Sequence, residues 1–121
     1  MLSLANVLSA RQLIRSHVWH TPLLPSAALS ERTGGDIYLK LECWQRTGSF
    51  KVRGALNKLA ALTKDEWARG IVTASAGNHG LGVAYASQVL GLPSVTIFVP
   101  ESAPVAKVQR LQSFDCQVRY A

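Results

Sequence analysis

Apolar and polar positions alternate along this chain with two different periods, and each period predicts a different kind of element. Short β-branched runs predict strands at residues 71–75, 95–99 and 116–120, the first two of them buried. A turn at 77–82 and a small-residue helix lie between the first two strands. The order strand–helix–strand–helix–strand predicts right-handed parallel βαβ units, and therefore the α/β class. Steps of three and four residues predict a further helix with the apolar positions Val52, Ala55, Leu56, Leu59 and Leu62.

Cap and turn residues mark the remaining elements. Ser3 is a candidate N-cap for a first helix, and a stripe along that helix should face the core. The stripe consists of Leu4, Val7, Leu8, the aliphatic stem of Arg11, and Ile14. Before the lysine-bearing segment, the sequence predicts an extended segment at 20–25, a short helix from Ser26 to Thr33 and a strand at 37–41. After it, a Thr63–Glu66 capping box predicts a short helix, and Gly91 and Pro93 predict the end of the small-residue helix. Pro104 is predicted to open a last helix with Val105, Val108 and Leu111 on one face.

One lysine stands at the predicted start of a helix. Gly48 and Ser49 supply a flexible turn and an N-cap candidate, which places Lys51 in the first helical turn. The positive end of the helix disfavours a further positive charge there, and desolvation by Phe50 would favour the neutral amine still more. A neutral amine can form a Schiff base with an aldehyde. Taken alone, the same pattern also fits an ordinary solvated lysine.

A second candidate site lies between a predicted strand and the helix that follows it, at residues 75–79. Ligands of open α/β sheets collect at such places, and the first N–H groups of a helix favour an anion. Ser75 and Asn78 could add side-chain donors to an anion cradle. In one alternative, Asn78 only caps the helix and the glycines only allow close packing. In another, the turn binds a dinucleotide, with Glu101 about 20 residues beyond Gly80, but the glycine spacing is the reverse of that fingerprint.

The composition fits one globular unit and argues against several classes of protein. The chain has 121 residues, 48% of them apolar and 17% charged, which is enough for one modest core. The net charge of +6 is scattered from Arg11 to Arg119, so nucleic-acid binding is not indicated. No cysteine or histidine cluster suggests a metal, and no apolar run suggests a signal peptide or a membrane span. We therefore expect a cytoplasmic protein with no metal, nucleic-acid or membrane partner.

Two stretches carry a resemblance to a known family. Residues 42–55, Glu-Cys-Trp-Gln-Arg-Thr-Gly-Ser-Phe-Lys-Val-Arg-Gly-Ala, resemble the lysine-bearing motif of the fold-type II pyridoxal-phosphate enzymes. Within that family they are most similar to the threonine/serine dehydratases and serine racemases. Residues 75–80, Ser-Ala-Gly-Asn-His-Gly, resemble the second motif of the same family and follow in the expected order. The resemblance covers essentially the whole chain.

The resemblance implies a tryptophan-synthase-β-like fold, present as an incomplete three-layer αβα unit with a parallel sheet. Residues 1–53 would open the large domain and carry the cofactor lysine, and residues 54–121 would form an incomplete small βαβαβ domain. The family's chains are much longer, so the sequence is interpreted as an N-terminal fragment. Its glycine-rich phosphate loop and its partner for the pyridine nitrogen would lie beyond Ala121, and the fragment alone is expected to be inactive.

The resemblance also implies an activity and its residues. Lys51 would hold pyridoxal 5'-phosphate and remove a substrate proton, with Phe50 and Asn78 as further cofactor contacts. The substrate carboxylate would lie against Ser75, Ala76, Gly77, Asn78 and His79. The reaction would dehydrate and deaminate L-threonine or L-serine to a 2-oxo acid and ammonia, as in isoleucine biosynthesis, in a homo-oligomer.

Two alternatives to the lyase remain open. Serine racemases have a serine at the position of Ala76, and alanine cannot take a proton, so dehydration is favoured over racemisation. A non-catalytic remnant or interaction fragment is the other alternative. His79 could act as a general base, but a histidine in the first turn of a helix more often binds or packs.

Overall fold

The computed structural model describes residues 1–92 and 95–121. Pro93, which was expected to help end a helix, lies outside the described residues, and Gly91 ends that helix in the left-handed region at φ 65°. The helices are α1 (Leu4–Ile14), α2 (Ala27–Thr33), α3 (Lys51–Ala60), α4 (Lys64–Ala68), α5 (Asn78–Leu90) and α6 (Val105–Gln112). The strands are β1 (Leu23–Pro25), β2 (Tyr38–Lys40), β3 (Ile71–Ala74), β4 (Val95–Val99) and β5 (Gln117–Tyr120), with a 3₁₀ turn at Glu42–Trp44.

The sheet confirms the predicted α/β class. Strands β3, β4 and β5 pair in that order, and both pairings are parallel. Ile71 lies opposite Val95, and Thr96 lies opposite Gln117. Strands β1 and β2 form a separate antiparallel pair in which Leu24 faces Leu39. Helix α5 connects β3 to β4 and α6 connects β4 to β5, as the alternating pattern predicts.

The core lies between the parallel sheet and the helices. Every second residue of β4 is buried, namely Val95, Ile97 and Val99. Val108 and Leu111 of α6 are buried as well, and α3 packs along α5. Burying a large aliphatic side chain is worth about 1.5–3 kcal/mol, so these residues provide much of the stability of the unit. Among the helices described, none is long and apolar enough to cross a membrane.

Of the four side-chain N-caps predicted, at Ser3, Ser26, Ser49 and Thr63, those at Ser3 and Thr63 are confirmed. Ser3 and Asn6 form a capping box at α1, and Thr63 and Glu66 form another at α4. Ser26 precedes α2 as predicted, but its side chain makes no capping hydrogen bond.

Several apolar positions predicted to be buried are exposed. The α1 stripe contributes only Ile14 to the core, because Leu4, Val7 and Leu8 are at least half exposed. Val105 of α6 is exposed. Strand β3 was predicted to be buried, but Val72 is exposed and β3 alternates between partly buried and exposed residues. Each of these residues lies where no other described element covers its face. An incomplete three-layer unit leaves such apolar surface.

The turn predicted at 77–82 is wrong, because α5 already begins at Asn78. Gly80 and Gly82 therefore lie inside the helix, where their role is close packing. A Cβ on Gly80 would lie 2.2 Å from the Ser75 carbonyl oxygen, and one on Gly82 would lie 3.1 Å from the Lys51 carbonyl carbon. Tertiary contact thus outweighs the low helix propensity of glycine. Gly80 and Gly82 do allow close packing, as one alternative supposed, but the cap that it assigned is wrong, because Gly77, not Asn78, occupies the N-cap.

Candidate active site

Lys51 is the first residue of α3, as predicted, but the residue that caps the helix differs from the prediction. Phe50 occupies the N-cap position, and its side chain makes no capping hydrogen bond. The Ser49 hydroxyl accepts a hydrogen bond from the Lys51 N–H at 3.4 Å, and Gly48 has φ 76°. The turn therefore uses the left-handed conformation that only glycine adopts freely. It delivers Lys51 to the positive end of the helix.

The side chains of Lys51 and Phe50 are both exposed. Lys51 Nζ lies 5.4 Å from the centroid of the Phe50 ring, and Phe50 is 58% exposed. Within the part of the chain that the structure describes, Phe50 therefore does not remove the Lys51 amine from solvent, contrary to the desolvation considered from the sequence. An exposed amine beside an exposed aromatic ring is accessible to an incoming planar aldehyde.

An open groove of about 580 Å³ runs beside Lys51 between α3, β3 and α5. It brings together Lys51, Phe50 and His79 of the predicted site residues, and Thr73 and Val83 also line it. The remaining predicted site residues lie next to the groove at the start of α5 but do not line it: Ser75, Ala76, Gly77 and Asn78.

The loop before α5 presents backbone donors. Ser75 Oγ accepts a hydrogen bond from the Gly77 N–H at 3.1 Å, which closes a tight turn before the helix. The N-cap Gly77 has no side chain to occupy the N–H groups of the first helical turn. These N–H groups and the helix dipole favour an anion at this end of α5. Asn78 and His79 are both exposed there.

The two motifs meet through their backbones. The Cβ position of Gly82 lies 3.1 Å from both Lys51 C and Val52 N. Gly82 is about one helical turn after Asn78, so the start of α3 lies directly against the first turns of α5. The amine and the donor end of α5 therefore belong to one continuous region of the surface.

An ion pair flanks the lysine and was not predicted. Arg53 Nε and Nη2 donate to the two carboxylate oxygens of Glu42, each at 2.8 Å. These hydrogen bonds lower the pKa of Glu42 to about 2, although partial burial opposes the shift. The Thr21 hydroxyl also donates to Glu42, and Arg53 Nη2 also donates to the Trp19 carbonyl at 3.1 Å. Glu42 is therefore an acceptor that holds three chain segments together.

Gln45 was also missed, and it binds the backbone of Trp19 from both sides. Its Oε1 accepts from the Trp19 N–H at 2.9 Å, and its Nε2 donates to the Trp19 carbonyl at 2.9 Å. Gln45 is only 3% exposed. The opposite charges of Glu42 and Arg53 within residues 42–55 were the sequence signal from which the ion pair could have been predicted. No sequence signal pointed to Trp19, which is distant in the chain.

Further hydrogen bonds reach the site from distant segments. Arg110 Nη2 of α6 donates to the Thr47 carbonyl at 3.3 Å. The Tyr85 hydroxyl of α5 donates to the His17 carbonyl at 2.8 Å. Both contacts join residues more than sixty positions apart in the sequence. The first ties the lysine-bearing region to α6, and the second ties α5 to the segment that follows α1.

Comparison with known proteins decides the family. Residues 14–121 match the family described as pyridoxal-phosphate dependent enzyme, and this match includes both motifs. The chain belongs to the pyridoxal-phosphate dependent enzyme family. Pyridoxal phosphate is therefore the cofactor that membership of this family assigns.

Relatives of this member of the pyridoxal-phosphate dependent enzyme family carry the names of two kinds of enzyme. An L-threonine ammonia-lyase of Thermotoga maritima is 48% identical over 118 residues, which are 98% of this chain and 29% of that protein. The processed form of threonine deaminase isoform 2 from Solanum lycopersicum is 32% identical with a TM-score of 0.80, over 99% of this chain and 36% of that one. The serine racemase of Dictyostelium discoideum is 35% identical with a TM-score of 0.90, over 98% and 38%. The chain thus spans about a third of the length of these relatives, in accord with the much longer family chains expected.

The residues of this family member fit pyridoxal phosphate. The exposed Lys51 amine can bond to the cofactor aldehyde, and the exposed Phe50 ring lies beside it. The groove beside them is open and about 580 Å³ in volume, a size typical of small-molecule sites. The donor end of α5 lies next to this groove and suits a negatively charged group.

Proposed function

We propose that the protein carrying this chain is a pyridoxal-phosphate-dependent lyase. It would dehydrate and deaminate L-threonine or L-serine to a 2-oxo acid and ammonia. The observation that carries the proposal is the contact between the start of α3 and the first turns of α5, at 3.1 Å between Lys51 C and the Cβ position of Gly82. This contact supports the proposal, because it brings the helix that begins with Lys51 against the helix whose start would bind the substrate carboxylate.

The proposed roles follow from the chemistry of each group. When bound, pyridoxal phosphate supplies an electron sink for the electrons left at the substrate Cα. Lys51 holds the cofactor and then, as a free amine, takes the proton from the substrate Cα. Phe50 and Asn78 contact the cofactor. The substrate carboxylate is bound at the start of α5 by the donors of Ser75, Ala76, Gly77, Asn78 and His79.

The remaining assignments belong to the same proposal. Residues 1–53 open the large domain and residues 54–121 belong to the small one, with the boundary inside α3. The enzyme is a cytoplasmic homo-oligomer, and its 2-oxo acid product enters isoleucine biosynthesis. The 121-residue chain by itself is expected to be inactive, since a cofactor held by Lys51 without its phosphate site is bound weakly.

Serine racemisation is the second candidate, and the similarity to the Dictyostelium racemase supports it. Racemisation needs a base on the face of the substrate opposite Lys51. Ala76 offers no such base in the loop before α5. The proposal therefore favours elimination over racemisation.

The test uses the full-length protein expressed from the complete gene. With L-threonine and pyridoxal phosphate we expect formation of 2-oxobutyrate, and we expect Lys51→Ala to abolish it. Lys58→Ala is the matched control, because Lys58 lines the same groove and has no assigned role. Activity that survives Lys51→Ala, or no 2-oxo acid from either threonine or serine, would refute the proposal. Production of D-serine alone would favour the racemase.

A further inference from the structure

We propose that residues 17–21 form a clamp that fixes the position of Lys51. The positioning residues are Gln45, Glu42 and Arg53, which connect this clamp to the lysine-bearing segment. The inference rests on the proposed role of Lys51 in holding the cofactor. It adds a function for Glu42 and Gln45, which do not line the groove beside the amine, and for Arg53, which does. The clamp is argued below from its contacts to the lysine-bearing segment and to α5.

The first contact fixes the segment before the lysine. Gln45 hydrogen-bonds both the N–H and the carbonyl of Trp19, each at 2.9 Å. The same Oε1 also accepts from the Arg46 N–H at 3.0 Å. Because Gln45 is almost completely buried, each of these bonds would be costly to leave unmade. The segment leading to Lys51 therefore follows the position of Trp19.

The second contact fixes the helix that begins with the lysine. Arg53 lies in the first turn of α3 with Lys51, and its guanidinium binds Glu42 through two bonds of 2.8 Å. Its Nη2 also donates to the Trp19 carbonyl at 3.1 Å. Thr21 donates to Glu42, and the Lys40 amine donates to the Thr21 carbonyl. Both ends of the loop that carries the lysine are thus tied to one another and to the clamp.

The third contact joins the clamp to the anion-binding helix. The Tyr85 hydroxyl of α5 donates to the His17 carbonyl at 2.8 Å. The clamp therefore contacts α5 at one end, through Tyr85, and the lysine-bearing segment at the other, through Gln45 and Arg53. A hydrogen-bond network in which every member is satisfied makes the segments that it joins more rigid. Such a network sets where the amine lies relative to the donor end of α5.

A purely stabilising role predicts a different result, and the rate of cofactor attachment separates the two. The full-length protein is freed of cofactor and mixed with pyridoxal phosphate, and the covalent adduct is trapped with borohydride at successive times. Mass spectrometry then gives the rate constant at Lys51 separately from the other lysines. A displacement of about 1 Å can cost on the order of 100-fold in rate, so we expect Arg53→Lys to slow attachment by about tenfold or more. Lysine keeps the charge but cannot make the forked contact.

The matched control is Arg119→Lys. Arg119 is exposed on β5 and belongs neither to the clamp nor to the lining of the groove, so the rate at Lys51 should stay unchanged. Glu42→Gln keeps the shape of the acceptor and provides a second variant should Arg53→Lys fold poorly. Hydrogen exchange of residues 46–52 in the cofactor-free protein is the independent readout, and it should become faster in both clamp variants.

Three outcomes decide the question. Slower attachment at Lys51 with faster exchange of residues 46–52 supports the clamp. Unchanged attachment in Arg53→Lys and Glu42→Gln refutes it, even where the unfolding temperature falls. A wild-type protein that is labelled at other lysines but not at Lys51 refutes the proposed function, and the clamp with it.

Discussion

Replacing Glu42 with glutamine removes the negative charge that faces Arg53 but keeps the size of the side chain. In the native structure this carboxylate accepts two hydrogen bonds from Arg53 and one from Thr21. The side chain of Glu42 is only 16% exposed. The substitution therefore leaves a partly buried guanidinium without its counter-ion, and we expect the folded state to lose stability at neutral pH.

The magnitude follows from the pKa of Glu42, which hydrogen bonding to Arg53 lowers from 4.5 to about 2. Since one pKa unit is worth about 1.4 kcal/mol, this shift corresponds to about 3 kcal/mol at neutral pH. The Arg53 side chain is 31% exposed, and solvent screening reduces the expected loss to about 2 kcal/mol. Because the folded pKa lies below the unfolded one, this stability is complete well above pH 4.5 and is lost as the pH falls towards 2.

The assay is urea unfolding of the full-length protein, followed by tryptophan fluorescence, since Trp19 lies within the network. The free energy of unfolding of Glu42→Gln should fall below that of the wild type by about 2 kcal/mol at pH 7, and by less than half of this at about pH 3. Glu101→Gln, at an exposed carboxylate, is the control and should show no such difference. Equal stabilities at pH 7, or a difference that does not change with pH, would refute the reasoning.

Two further predictions concern stability away from the ion pair. Gly80→Ala should lower the free energy of unfolding in urea by about 1–3 kcal/mol, because the new Cβ would overlap the Ser75 carbonyl oxygen. Gly54→Ala, with open space around its Cβ position inside α3, should instead add about 0.5–1 kcal/mol, and equal effects of the two substitutions would contradict the packing argument. Thr63→Ala should cost about 1 kcal/mol by removing the capping box at α4, whereas Thr63→Ser should restore most of it in the same measurement.

Local patterns predicted the parallel-sheet unit well. The β-branched runs became β3, β4 and β5, and the cap signals at Ser3 and Thr63 mark the observed starts of α1 and α4. These signals are local, because a strand period or a capping box is complete within a few residues. The lysine at the start of α3 was predicted for the same reason.

The errors arose where distant parts of the chain decide the structure. The glycines at 77–82 suggested a turn, but Gly80 and Gly82 lie in a helix that packs against backbone. The hydrogen bonds from Gln45 and Arg53 to Trp19 could not be predicted, because nothing in the sequence specifies which carbonyl 26 or 34 residues away is the partner. Contacts of this kind depend on the assembled fold rather than on local preference.

The contact at Gly82 also bears on how one scaffold can serve several reactions. The spacing between the lysine and the helix end is set by main-chain atoms, since no side chain intervenes between Gly82 and the backbone of Lys51. Side chains on the groove walls, such as Thr73 and His79, can therefore vary without changing that spacing. Selection for a new substrate can act on the walls while the spacing between the start of α3 and the first turns of α5 is inherited unchanged.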